Sequence, residues 1–303
     1  MTYTTRRAVG LALTALTGLA AFVMVAMLAL ILLDVIANGA SHVTWTFLSQ
    51  PPSDGMMGGG IFPAIIGTAA LTLLMTLAVM PVGVLTAVYL HEYAPPHSRF
   101  ARWVRVAVVN LAGVPSIVFG LFGLGFFILF VGRNMDRMLG HEELYWGQPG
   151  ILWASLTLAV LTLPVVIVST EEALRAVPMD HRTASLALGA TQSQTLMRVV
   201  LPGALPGILT GAVLAISRGA GEVAPILFTG AAYFLPDLPS RLNSQFMHLG
   251  YHTYVLATQS PDVEATRPLL YATVLVLLLL TFALNLVAVI IRTRTRRKAA
   301  GAH

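Results

Sequence analysis

Residues 215–230 read AISRGAGEVAPILFTG, apolar on both flanks with Arg218 and Glu222 four residues apart between them. On a helix, that spacing puts cation and anion on one face. An arginine at the centre of a membrane helix costs about 3 kcal/mol on insertion scales. Whether this stretch crosses a bilayer therefore decides the fold, and what offsets its charges bears on function.

Composition addresses the first question. Of 303 residues, 56% are hydrophobic and 10% charged, with a mean hydropathy of +0.79. Soluble domains carry about 25% charged residues, so an all-α integral membrane protein is expected. Crossing the hydrocarbon takes about 20 apolar residues. Segments 8–33, 61–90, 106–131, 150–170, 203–231 and 269–291 meet that length, which predicts six transmembrane helices. The first follows Arg6 and Arg7 as a signal peptide would. Its uncharged run is too long for a secretory core and meets Asp34 without a small-residue cleavage site, so it reads as a retained helix.

Positive residues set the orientation. One side collects Arg6, Arg7, Arg99, Arg102, Arg105, Arg175, Arg182, Arg198 and the basic run 292–298. The other holds only Arg133, Arg137, Arg241 and Arg267. Both termini are thus expected in the cytoplasm, with outer loops at 37–60, 132–149 and 232–268. The expected organisation is an N-terminal transmembrane helix (1–36), an extracytoplasmic loop (37–60), a core of five membrane helices (61–291) and a basic cytoplasmic tail (292–303).

Several chemistries are disfavoured. Cysteine is absent, which removes disulfides, thiolate metal sites and cysteine nucleophiles. Lys298 is the one lysine, so no GxxxxGK[ST] phosphate loop can form and ATP is not hydrolysed by that route. The net charge of +5 lies at membrane-surface positions and suggests the lipid bilayer, not nucleic acid, as partner. Gly58, Gly59 and Gly60 follow no strand in a GxGxxG pattern and read as a turn into the second helix. His248 and His252 are four apart, yet no third metal ligand accompanies them, so a contact on an outer surface is the favoured reading. No serine, histidine and acid share a membrane depth. No metal, cofactor or catalytic residue is expected.

The inside loop 169–208 reads STEEALRAVPMDHRTASLALGATQSQTLMRVVLPGALPGI. It predicts two short helices parted at Pro178, the second with apolar Ala184, Leu188, Leu196 and Val200 and a bend at Gly189. Apolar surface held on the cytoplasmic side invites a partner groove. The loop resembles the coupling segment of ABC-importer permeases: EAA, three residues, Gly, nine residues, Ile, one residue, Leu-Pro. Gly189, Val199, Leu201 and Pro202 fall at that spacing, while Thr183, Ala184 and Ser185 stand in the triplet, without its glutamate.

Further stretches, PPSDGMMGGGIFPAIIGT, LAGVPSIVFGLFGLGFF, STEEALRAVP, RGAGEVAPILFTG and FMHLGYHTYVLAT, are similar to the PstA-type permeases of the bacterial phosphate importer. The resemblance runs from about residue 45 to 290. It implies a type I ABC importer fold and a non-catalytic subunit importing inorganic phosphate across the cytoplasmic membrane by alternating access. It implies as partners a PstC-type sister permease in a heterodimer, two copies of a PstB-type ATPase and an extracytoplasmic PstS-type phosphate-binding protein. The ATPase-coupling loop would be 171–202. Two alternatives stand beside it: a permease for another oxyanion, such as phosphonate or molybdate, and a gradient-driven secondary transporter. Against the latter are the coupling-loop spacing and the lack of an inverted second half with its own charged interruption.

Gly203, Gly207, Gly211, Ala215 and Gly219 form a row of small residues that lets another helix approach closely. At about 1.5 Å per residue, Arg218 would lie about 22 Å above Gly203. A guanidinium presents a fork that fits phosphate oxygens. Glu222 would hold that fork when the site is empty and could accept a phosphate hydroxyl. The residues alone leave two readings open, a substrate pathway and a static pin between helices; the family resemblance favours the pathway. Asn110 and Ser116, flanking Pro115 in NLAGVPSIVFG, are candidate cavity-lining residues or parts of a packing kink.

Overall fold

The computed structural model describes residues 3–53, 58–95, 97–260 and 262–300. Among these, six helical runs are long and apolar enough to cross a membrane: Gly10–His42, Phe62–Tyr93, Ser116–Leu139, Ile151–Arg175, Gln192–Gly219 and Val263–Thr295. The chain begins with α1 (Tyr3–Gly39) and the short α2 (Trp45–Ser49). A hairpin follows, in which β1 (Pro52–Ser53) pairs antiparallel with β2 (Gly58–Gly59). Next come α3 (Phe62–Val88), closed by a π-helical turn at Tyr89–Tyr93, and α4 (Arg99–Ala112). α5 (Ser116–Phe122) runs through a π-helix (Gly123–Gly132) into α6 (Arg133–Leu139). α7 (Ile151–Arg175) leads to α8 (Met179–Ala187) and α9 (Gln192–Thr195), which passes through a π turn (Leu196–Val200) into α10 (Leu201–Gly219). α11 (Leu249–Thr258) and α12 (Val263–Ala300) complete the chain.

α7 is apolar over most of its length and largely buried, as a central helix should be, and it packs between α3 and α10. Leu71, Met75 and Val79 of α3 meet Leu158 and Val166 of α7 and Ala215 of α10 in the central core. Several hydroxyls inside this bundle are satisfied within their own helices, although the buried Thr170 hydroxyl has no partner among the described residues. Thr68 donates to the Ala64 carbonyl, Thr72 to Thr68, and Thr162 to Leu158. α1 packs mainly on α12 and the short turn that follows α1, and it exposes Leu16, Phe22 and Ile31.

The row of small residues on α10 acts as expected. A Cβ at Gly207 would collide with Ala173, and one at Gly211 with Ser169, so α10 can seat on α7 only through glycine. The last member, Gly219, abuts Met75 of α3.

Three expectations are corrected. The third crossing does not run over 106–131: Gly113–Val114–Pro115 breaks it into amphipathic α4 and a span that starts at Ser116. The residue before a proline disfavours helix, and the spanning helix resumes beyond it. The fifth crossing does not run over 203–231: it begins at Gln192 and ends at Gly219. The helix expected at the start of the inside loop is the last part of α7, which continues to Arg175. The glycines at 58–60 build a tight hairpin end, with Gly59 at φ +77°. The expected basic tail continues α12 as helix to Ala300.

Candidate functional site

α10 ends where Gly219, Gly221 and Pro225 stop favouring helix. From Ala220 to Gly230 the chain turns on itself, with Ile226 N–H donating to Val223 O (3.2 Å) and Thr229 N–H to Ile226 O (3.2 Å). This irregular plug wedges between two helices. At Gly120 of α5 a Cβ would press on Pro225 and Phe228, and at Gly123 it would meet Thr157 of α7 and Thr229. Backbone polar groups in such a plug need partners inside the membrane protein. Gly150 N–H donates to Thr229 O (2.9 Å), Ala232 N–H to Phe246 O (2.8 Å), and the Thr229 hydroxyl to Pro225 O (3.0 Å).

Arg218 occupies the last turn of α10, whereas Glu222 lies beyond the helix in the plug. The two therefore do not share a helix face, contrary to expectation. They still meet: Arg218 Nε stands 3.7 Å from Glu222 Oε1, with side chains 41% and 21% exposed. That distance exceeds a hydrogen bond, and the Arg218 Nη groups donate to no acceptor among the described residues. Beside the pair, Ser217 Oγ lies 2.7 Å from Asn285 Oδ1 of α12. Asn285 was not singled out from sequence, although a lone amide in LLLLTFALNLVAV is a usable signal.

The face that carries α8 and α9 is built differently. Arg182 of α8 donates through Nη1 to both Glu92 oxygens (2.6 and 2.8 Å) and through Nη2 to Leu174 O (2.8 Å). Gln192 Nε2 donates to Glu92 O (3.1 Å), and Arg105 Nη2 donates to Leu90 O (2.7 Å). Thr191 and Gln194 form a capping box that starts the helical run into α10. Met179, Leu186 and Leu188 of this face point to solvent, with Leu188 90% exposed.

The outer segment carries a further correction. His248 and His252 are buried, so neither offers the surface contact expected from sequence. His248 caps α11, its Nδ1 accepting from Gly250 N–H (3.2 Å). Burial lowers His248 to about 3 and His252 to about 4, so both rings are neutral at physiological pH. In a different loop, Asp136 staples the 132–149 segment by accepting from Trp146 N–H (2.8 Å), Gly147 N–H (2.7 Å) and His141 Nδ1 (3.1 Å).

Residues 79–297 match the family described as binding-protein-dependent transport system inner membrane component. The chain belongs to this family. As one of these permeases it is a multi-pass inner-membrane protein with six membrane helices. It is 33% identical over 265 residues to the probable ABC transporter permease protein YqgI of Bacillus subtilis, covering 83% of this chain and 85% of that one. It is 33% identical over 273 residues to the phosphate transport system permease protein PstA 1 of Mycobacterium tuberculosis, covering 87% and 82%. Among solved structures, a bacterial alginate ABC transporter bound to its pentasaccharide-loaded periplasmic protein matches with a TM-score of 0.64 at 16% identity, covering 94% of each chain. An inward-facing methionine ABC transporter matches at 0.54 and 20%, covering 77% of this permease and 94% of that chain. These place the fold among type I ABC importer permeases.

The remaining predicted positions sort by location. Asn110 sits on the exposed side of α4, its carbonyl accepting from Gly113 N–H (3.0 Å), and Ser116 opens α5 across the break. In the inner loop, Thr183 bonds back to Met179 O and Asp180 O, Ala184 is exposed, and Ser185 Oγ lies 2.9 Å from Thr195 Oγ1. Gly189 takes φ +85°, a left-handed conformation that favours glycine, at the bend between α8 and α9. Val199 lies in the π turn, and Leu201 and Pro202 start α10. Of the apolar residues read on one short helix, Leu196 and Val200 pack into the permease while Ala184 and Leu188 face out.

Proposed function

We propose that this permease moves inorganic phosphate inward by alternating access, with Arg218 and Glu222 on its pathway. The observation that carries the reading is the loose outer pair: a cation with its fork unoccupied, beside a carboxylate that neutralises it without a hydrogen bond. The Arg218 fork offers paired donors to phosphate oxygens, and Glu222 accepts the hydroxyl of a protonated phosphate. A pathway needs binding weak enough for release, which a half-neutralised arginine supplies. Asn110 and Ser116, on either side of the α4–α5 break, line the way inward. The phosphate named for the Mycobacterium tuberculosis relative supports the choice of anion.

Energy enters from a cytoplasmic ATPase dimer that grips the exposed loop 171–202, with Leu188 and Met179 as apolar anchors and Thr183, Ala184, Ser185, Gly189, Val199, Leu201 and Pro202 forming the segment. A PstC-type sister permease, two PstB-type ATPase subunits and a PstS-type binding protein complete the importer, and both termini lie in the cytoplasm. The permease core occupies 61–291. Radiolabelled phosphate uptake in cells lacking their own permease and its ATPase tests this. Supplying this chain with its sister permease, ATPase and binding protein should restore uptake that excess sulfate does not compete. An ATPase carrying a dead active site should abolish it. Absence of phosphate uptake with all subunits assembled would overturn the reading.

A further inference from the structure

α8 is covalently joined to α7 through Ala176–Pro178, but it has no such connection to α3. Yet α3 is the helix whose Met75 seats on Gly219, next to Arg218, and whose Thr68 Oγ1 accepts from Leu249 N–H at 2.9 Å in the outer segment. Any push on α8 must reach α3 some other way. Apolar packing among Val88, Leu174, Val177 and Leu196 joins these elements, but such contacts can slide. The Arg182 fork cannot. It engages both Glu92 oxygens at the inner end of α3 and the Leu174 carbonyl at the end of α7, with side chains only 13% and 11% exposed. Gln192 adds a second tie to the Glu92 carbonyl from α9.

We infer that the Arg182–Glu92 pair is the strap that transmits coupling-loop movement to α3, and through α3 to the turn bearing Arg218. Arg182 and Glu92 are positioning residues; neither touches substrate. α3 acts as a rod: Glu92 lies about 25 Å along the helix from Met75, at about 1.5 Å per residue. The planar guanidinium suits this work because its two ends hold separate partners in fixed register, which an ammonium cannot do. One donor, Arg182 Nε, is buried without an acceptor. It is free for an acceptor that a second arrangement of the inner face would supply.

The strap rests on the coupling-loop reading above, and its test separates the two. The complete importer in proteoliposomes, with binding protein and phosphate, is assayed for phosphate moved per ATP hydrolysed. Glu92→Gln and Arg182→Lys are expected to keep hydrolysing ATP while that ratio falls at least fivefold. The exchanged pair Glu92→Arg with Arg182→Glu restores the ion pair but not the donor to the Leu174 carbonyl, and is expected to raise the ratio above that of either single variant. A purely architectural pair would lower uptake and hydrolysis together and leave the ratio unchanged, and that result in either single variant overturns the strap. Should Glu92→Gln fail to assemble, Arg182→Lys, which keeps the charge, decides by the same ratio. A wild-type importer that moves phosphate without ATP would remove the coupling reading itself and the strap with it.

Discussion

The permease contains two arginine–glutamate pairs that differ in almost every physical respect. At the inner face, Arg182 and Glu92 meet at 2.6 Å, nearly enclosed, with the guanidinium shared between three acceptor oxygens. At the outer end of α10, Arg218 and Glu222 stand at 3.7 Å, and the arginine is 41% exposed. The enclosed pair joins elements distant in sequence, whereas the loose pair joins a helix end to the turn that follows it. A tight pair resists exchange and suits mechanical transmission. A loose one leaves its donors uncommitted, as the proposed pathway requires.

The comparison can be broken by stability measurements on the detergent-solubilised complex. Arg182→Ala would leave the Glu92 carboxylate enclosed and unpaired, a loss of about 3–5 kcal/mol, seen as the largest fall in thermal midpoint. Asp136→Ala strips the acceptor from Trp146 and Gly147 N–H and should cost about 2–3 kcal/mol. Gly211→Val forces α10 off Ser169 and should cost about 2 kcal/mol through overpacking. Arg218→Ala should change stability by less than about 0.5 kcal/mol. Equal losses at Arg182 and Arg218 would erase the distinction between the pairs.

Acidity sharpens the same contrast. His248 and His252 have folded pKa values below the ordinary 6.5, at about 3 and 4. The unfolded chain therefore binds more protons than the folded one below pH 6.5, and stability falls as pH drops from there toward those values. Each histidine should remove about 1 kcal/mol between pH 6.5 and 5.5. Replacing both with asparagine should flatten a plot of thermal midpoint against pH in that window.

Much of this architecture was legible in the sequence because the bilayer imposes a length rule. The six apolar runs mark the six crossings, and the small residues from Gly203 to Gly219 mark where α10 meets its neighbours. Errors arose where backbone chemistry overrides apolar character. LFTG and its neighbours are hydrophobic enough for a helix, but Gly219, Gly221 and Pro225 make residues 220–230 a folded plug. Pro115 likewise separates α4 from α5. Ion-pair partners such as Glu92 and Arg182, ninety residues apart, leave no local pattern to read. The burial of His248 and His252 was equally hidden, since an aromatic outer loop reads as surface until α11 is packed on α3 and α12.

The most direct test of the substrate pathway is ATP-driven uptake of radiolabelled phosphate by proteoliposomes holding the assembled importer with Arg218→Gln. Losing a charged, forked donor should lower uptake by about 10- to 100-fold, while the ATPase subunits continue to hydrolyse ATP. Uptake equal to wild type would make the outer pair a static pin between helix and plug, and would contradict its place on the route of the anion.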